Sequence, residues 1–326
     1  MVQTNPQQMK KSILFLILFI LSQQIKANRD SLYIPQYQNR LQSLSRYEEF
    51  FCDACGCAAG NGSSGFESLL NPQFVGVKYF AQHYRAKENL FTQDLTQDQY
   101  FNTIQIWGKV PVTQKLSIYG SLPFQFHEKK TLQGDINISG IGDASVMGIY
   151  EILRSKSDYH QLNGGIGMKI PLGKFDEKGI TGVNPGFQLG TGSWDYQLAL
   201  SYKFQKNLFA LMLNTDYTIK TENRKHYRFG NQWNYVATGF YRLWRNEDSI
   251  FSGKLGLQGE VYDWNRQFGE VMPRTAGSAL YGKLGFEISY KKFSLGSELM
   301  LPAYTQLAGG DIEARSRFSL FINFGL

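Results

Sequence analysis

Between residue 73 and the C-terminus the chain alternates oily and polar side chains, residue by residue, over runs longer than the strands of most soluble sheets. Successive side chains on a strand point to opposite faces, so such a run builds a sheet with one apolar and one polar surface. In one run Leu116, Ile118, Gly120, Leu122, Phe124 and Phe126 interleave with Ser117, Tyr119, Ser121, Pro123, Gln125 and His127. Trp194 through Phe204 repeats the split, and so does the C-terminal run, where Phe318, Leu320, Ile322, Phe324 and Leu326 share one face. The pattern predicts twelve strands, near 73–84, 99–110, 115–127, 143–154, 159–172, 193–205, 207–221, 231–245, 250–264, 279–290, 292–302 and 314–326. Most reach the roughly 9–11 residues that a tilted strand needs to cross a bilayer, against about 5–6 for an average soluble strand.

The connections point the same way. Those near 111–114, 155–158, 206, 246–249 and 291 are short, and they alternate with longer ones at 85–98, 128–142, 173–192, 222–230, 265–278 and 303–313. Outer-membrane barrels alternate tight periplasmic turns with longer external loops, and a first strand that starts on the periplasmic side places every long connection outside. The polar face carries Lys109, Lys169, Lys203, Lys220, Lys254, Glu260, Lys283, Glu287, Glu298 and Arg317. Burying that many unpaired charges in a dry soluble core costs several kcal/mol each, whereas a wetted lumen removes the cost. With a mean hydropathy of −0.32 and, after the N-terminal region, no apolar run of helix-spanning length, a helical membrane bundle is excluded. The expected fold class is all-β: a transmembrane antiparallel β-barrel of about twelve strands, preceded by a short N-terminal segment.

The N-terminal region has a different character. Lys10 and Lys11 precede the apolar run 13–21, the layout of a cleavable secretory signal, with cleavage expected after Ala27. Its removal takes away three lysines and no acid, reducing the net charge from +7 to +4. No basic cluster suggests a nucleic-acid partner. Residues 28–72 then read as a periplasmic or lumenal segment ahead of the barrel at 73–326. That segment holds all three cysteines, Cys52, Cys55 and Cys57. In an oxidising compartment two of them can pair and leave one over. Three soft donors also suit Cu(I). Disulfide, metal site and inert thiols all fit the spacing.

Aromatic residues make up 15% of the chain. Tyr100, Trp107, Tyr150, Trp194, Tyr202, Trp233, Trp244, Tyr262, Trp264 and Tyr290 gather near strand ends, as two interfacial girdles require. The terminal Phe324-Gly325-Leu326 resembles the sorting signal of barrels delivered to the outer membrane by the barrel-assembly machinery. Three further phrases carry a family resemblance: Gly140-Ile-Gly-Asp143, the run from Gly165 to Lys174, and Gln188-Leu-Gly-Thr-Gly-Ser-Trp-Asp195. Together they resemble the outer-membrane proteins named for phenol-degradation pathways, which are distantly similar to long-chain fatty-acid channels. The Cys-x-x-Cys-x-Cys segment is similar to a branch found in Bacteroidetes-type bacteria. Leu172 departs from the pattern, which has Thr there. The resemblance covers roughly residues 52–326 and implies a barrel that carries small molecules across the outer membrane.

The lumen and mouth candidates are Asp143, Asp195, Lys169, Lys203, Glu260, Glu298 and Arg317. Asp143 and Asp195 follow glycines and face the polar side near the outer mouth, placed to pair with basic residues or loop amides; a structural role in turns is the more economical expectation. The four histidines are scattered and accompany no Gly-x-Ser-x-Gly element, so no catalytic set emerges. The expected function is an outer-membrane channel passing small solutes, hydrophobic ones included, by passive diffusion, with membrane lipids and small-molecule cargo as partners. The alternatives are a copper-linked barrel using the cysteine cluster and a barrel enzyme acting on lipids.

Overall fold

The computed structural model describes residues 73–87, 96–131, 134–175 and 185–326. The expected signal segment and the segment 28–72, with its three cysteines, lie outside the described residues.

Sixteen strands form in these residues. In chain order they are β1 (Phe74–Lys87), β2 (Thr96–Pro111), β3 (Leu116–Thr131), β4 (Gly134–Ile141), β5 (Ala144–Arg154), β6 (His160–Ile170), β7 (Asp195–Lys206) and β8 (Phe209–Ile219), followed by β9 (Tyr227–Arg228), β10 (Gln232–Arg245), β11 (Ser249–Tyr262), β12 (Arg266–Gln267), β13 (Glu270–Val271), β14 (Gly277–Tyr290), β15 (Phe293–Leu307) and β16 (Ile312–Gly325). Every neighbouring pair in the main sheet runs antiparallel, and β1 pairs with both β2 and β16, which closes the cylinder. β4 and β5 pair one after the other along β3 and count as one interrupted stave, so the barrel has twelve. Closure leaves the barrel wall without the open edges that would otherwise expose unpaired backbone groups to lipid.

The observed staves fall within a few residues of the alternation pattern, and the long connections lie at one end. One difference concerns residues 128–142, expected as a loop. There β3 continues to Thr131 and turns back into β4, with Phe124↔Ile141 through Thr131↔Gly134 in register. Strand pairing persists beyond the apolar belt because it depends on backbone hydrogen bonds rather than on lipid. The external connections also hold a small second sheet of β9, β12 and β13.

Residue parity decides the faces. Val77, Ile106, Ile166, Leu255, Leu284 and Ile322 are each at least half exposed and belong to the outward set. The inward set is polar and buried. Two aromatics expected in the girdles, Trp107 and Tyr262, turn inward instead and are 2% and 7% exposed. They share parity with Lys109 and Glu260, and strand phase overrides the general preference of aromatics for the interface.

Candidate functional site: the charged lumen and its inward loop

The outer end of the lumen is built around Lys169, at the end of β6. Its Nζ lies 3.0 Å from Asp143 Oδ2 and 2.6 Å from Asp195 Oδ2, and the side chain is 2% exposed. Lys220, just past β8, reaches the same Asp195 oxygen at 3.3 Å. Burial, and then the neighbouring Lys169 cation, push the Lys220 ammonium below the ordinary lysine range, while Asp195 pulls the other way. Two carboxylates and two ammonium groups thus balance in a dry site, the condition under which buried charge is tolerated.

The same carboxylates hold the connection between β6 and β7. Asp143 accepts from Gly173 N at 3.0 Å, and from Thr191 N and Thr191 Oγ1 at 2.9 Å each. Asp195 accepts from Ser193 Oγ at 2.9 Å and from Thr221 N at 3.1 Å. Lys169 also donates to Thr191 Oγ1, and Asn223 Nδ2 donates to the Thr191 carbonyl at 3.0 Å. Gly190 is required here by close approach, since a Cβ would stand 2.5 Å from Asp143 Oδ1 and 2.6 Å from Gly173 O. Gly192 is required by its backbone, at φ +67°. The loop is therefore fastened to the inner wall at both of its strand junctions. Its Phe187, 1% exposed, projects into the lumen; the ring centroid is 5.6 Å from that of Phe101, and His127 Nδ1 lies 3.3 Å from the Phe187 carbonyl oxygen.

Farther round the wall, Arg317 of β16 forks onto Glu260 of β11, with Nη1–Oε1 at 2.5 Å and Nη2–Oε2 at 2.8 Å. β14 and β15 separate these strands in the sheet, so the pair spans a chord of the lumen. Nη2 also donates to Tyr84 Oη at 2.6 Å, and the guanidinium lies 4.1 Å from the Tyr281 ring centroid. Tyr262 Oη donates to Glu260 Oε2 at 2.7 Å. A bidentate Arg–carboxylate pair with every oxygen engaged is the strongest form such a contact takes. Beside it Lys254 meets Glu298 at 2.6 Å and Lys283 meets the same carboxylate at 3.4 Å.

Six of the seven predicted lumen residues thus fall into two networks: Asp143, Lys169 and Asp195 in one, Glu260, Glu298 and Arg317 around the other. Lys203 belongs to neither and lies near the inner end of β7, half-buried. The sequence argument relied on a wetted lumen to tolerate the inward charges. In the structure most of them are buried and satisfied by one another, because the inward loop and the tyrosines fill the space around them. Sequence reasoning missed the loop residues Thr191, Ser193 and Phe187 and the tyrosines Tyr84 and Tyr281. Parity marks the tyrosines as inward, but nothing local marks the loop as a lumen element.

The geometry and the outward apolar belt define a class, the outer-membrane β-barrel. The family described as "Putative MetA-pathway of phenol degradation" matches residues 91–299, and the chain belongs to it. Among solved structures, the chain is similar to the COG4313 outer membrane channel from Pseudomonas putida F1, with a TM-score of 0.60 at 15% identity over 79% of this chain and 97% of that one. It is also similar to the β domain of the Bordetella autotransporter BrkA, with a TM-score of 0.51 at 8% identity over 78% and 99%. At these identities the likeness establishes the fold. No curated protein matches the chain.

Proposed function

We propose that this protein is an outer-membrane channel through which small solutes, hydrophobic ones included, cross by passive diffusion. The observation that carries this reading is a closed twelve-stave wall, apolar outside and polar inside, narrowed by a loop tied into its own lumen. Closure excludes lipid, the polar wall supplies hydrogen-bonding partners along the path, and the inward loop limits passage to small molecules. In this reading the first 27 residues direct export, the apolar belt contacts acyl chains, and the terminal strand is handed to the barrel-assembly machinery.

This reading assigns the barrel no hydrolytic role, and each histidine has a partner of its own. His83 pairs with Asp98, His127 with the Phe187 carbonyl, His160 with Tyr202 and His226 with Glu222.

Proteoliposome swelling tests the channel. The expected result is swelling with small solutes that falls off steeply with solute size. Swelling no faster than in protein-free vesicles for every solute overturns the proposal.

A further inference from the structure

We propose that the inner mouth of the barrel selects for small organic anions, carboxylates among them. This inference rests on the reading of the barrel as a channel and adds the charge of what passes.

The strand ends and turns at this end, residues 109–115, 151–160, 203–210, 241–250 and 289–293, carry ten Lys and Arg against four Asp and Glu. What matters for passage is which of these charges point inward and remain uncompensated. Lys109 on β2, Lys203 on β7 and Arg242 on β10 occupy inward positions near the inner ends of their strands, and all three are half-buried rather than sealed. Lys109 is within electrostatic range of both Lys203 and Glu151, and Lys203 of Arg154, Asp158 and Glu151, so the acids here offset the lysine charge only in part. Two acids turn inward at this level: Glu151 is taken by Arg154, whose Nε lies 2.9 Å from Oε1 and Nη2 2.5 Å from Oε2, and Glu287, fully buried on β14, stands in register with Ser252 and through it with Arg242. Asp158, Glu247 and Asp248 sit in the connecting turns. Among the described residues no carboxylate stands within ion-pair distance of Lys109, Lys203 or Arg242. This contrasts with Lys169, Lys254 and Arg317 deeper in the lumen, each of which is matched.

Just inside these cations lies an aromatic ring wall. Phe74, Trp107 and Phe321 pack edge to face, with centroids 4.6 Å and 5.8 Å from Trp107. Lys78 Nζ stands 5.3 Å from the Trp107 ring and Lys254 Nζ 5.1 Å from Phe321. At the rim, a pocket is lined by Arg242, Gln205, Ser252 and Phe240 among others.

Uncompensated charge at a mouth with low-dielectric walls concentrates the opposite ion. A potential of only about one kT, at the low end of what such clefts produce, enriches anions about threefold and depletes cations by the same factor, a ratio of about 7.

The test uses the full chain extracted from outer membranes and inserted into planar bilayers under a tenfold KCl gradient. The expected chloride-to-potassium permeability ratio exceeds about 3, and K109Q/K203Q/R242Q brings it toward 1. In vesicles, benzoate is expected to enter several-fold faster than benzylammonium of matched size. A ratio at or below 1 in the unmodified protein, equal entry of the two probes, or a ratio unmoved by the substitutions overturns the inference and leaves the channel intact. If the triple variant does not fold, R242Q alone is read, and a ratio unchanged there also overturns it. No conductance and no solute entry at all overturns the channel reading, and this inference with it.

Discussion

Replacing Asp195 by Asn isolates a single quantity, the charge that balances the outer lumen network. Asp195 is fully buried and meets two ammonium groups, Lys169 at 2.6 Å and Lys220 at 3.3 Å. Asn is isosteric, and its Oδ1 can still accept from Ser193 Oγ and Thr221 N, so the loop contacts survive. Lys169 keeps Asp143 at 3.0 Å. Lys220 is left 4% exposed without its carboxylate. Breaking a buried pair and leaving one charge uncompensated costs about 3–5 kcal/mol, and D195N is expected to lose that much. Removing the stranded cation as well restores neutrality, so D195N/K220M should recover at least half of the loss. Asp195 and Lys220 share one network, and their coupling is expected at about 1.5–3 kcal/mol. The assay is urea unfolding of the barrel in lipid vesicles, followed by tryptophan fluorescence and by the heat-dependent shift of the folded band on gels. A D195N loss below about 1 kcal/mol, or additive effects of D195N and K220M, would refute the claim that charge balance holds this network together.

Three further outcomes are expected. E260Q replaces the carboxylate of the fork by a neutral amide whose one oxygen can still accept from Arg317, leaves the buried guanidinium charge unmatched, and should destabilise the barrel by about 3–5 kcal/mol, checked by the same unfolding assay; a loss within error of zero would mean the charge of the fork contributes nothing. L255K puts a cation on an outward position that is 69% exposed, and should cost about 2–4 kcal/mol if that position lies near the bilayer midplane, whereas a soluble barrel would tolerate it. For Cys52, Cys55 and Cys57, alkylation of the exported protein followed by mass spectrometry should label one thiol before reduction and three after it, because paired cysteines are favoured outside the cytoplasm; three labelled before reduction would leave the metal and inert readings.

Twelve staves, their faces and the sidedness of the loops were legible because all three follow from a period of two and from connection length, both local properties of the chain. The inward charges were legible for the same reason: Glu260, Glu298 and Arg317 were assigned by parity alone. Their partners were not, because Arg317 meets Glu260 across a chord of the cylinder, and nothing in the spacing of 57 residues encodes that distance. Trp107 and Tyr262 show how a true generalisation about aromatics misleads when the phase of the individual strand is set aside. Phe187 was invisible for another reason. A lone apolar residue in a glycine-rich connection carries no period, and its destination depends on where the ends of the loop are tied.

The ties explain why two separate phrases of the sequence are so particular. Gly140-Ile-Gly-Asp143 and Gln188-Leu-Gly-Thr-Gly-Ser-Trp-Asp195 read singly as bends before strands, yet they are the two halves of one latch. Asp143 supplies the acceptor; Thr191, 48 residues on, supplies two donors to it. Gly190 lets the backbone come that close, Gly192 turns it, and Ser193 hands the chain to Asp195. Trp194 alone faces out, at 51% exposure, where an interfacial ring belongs. A generic turn before a strand needs a glycine and a polar residue in almost any order. This segment needs each type in its place, because backbone approach, left-handed geometry, hydroxyl donation and buried charge are separate demands made at consecutive positions. That is the physical content of the family phrase, and it concerns the narrowing of the lumen more than the wall of the barrel.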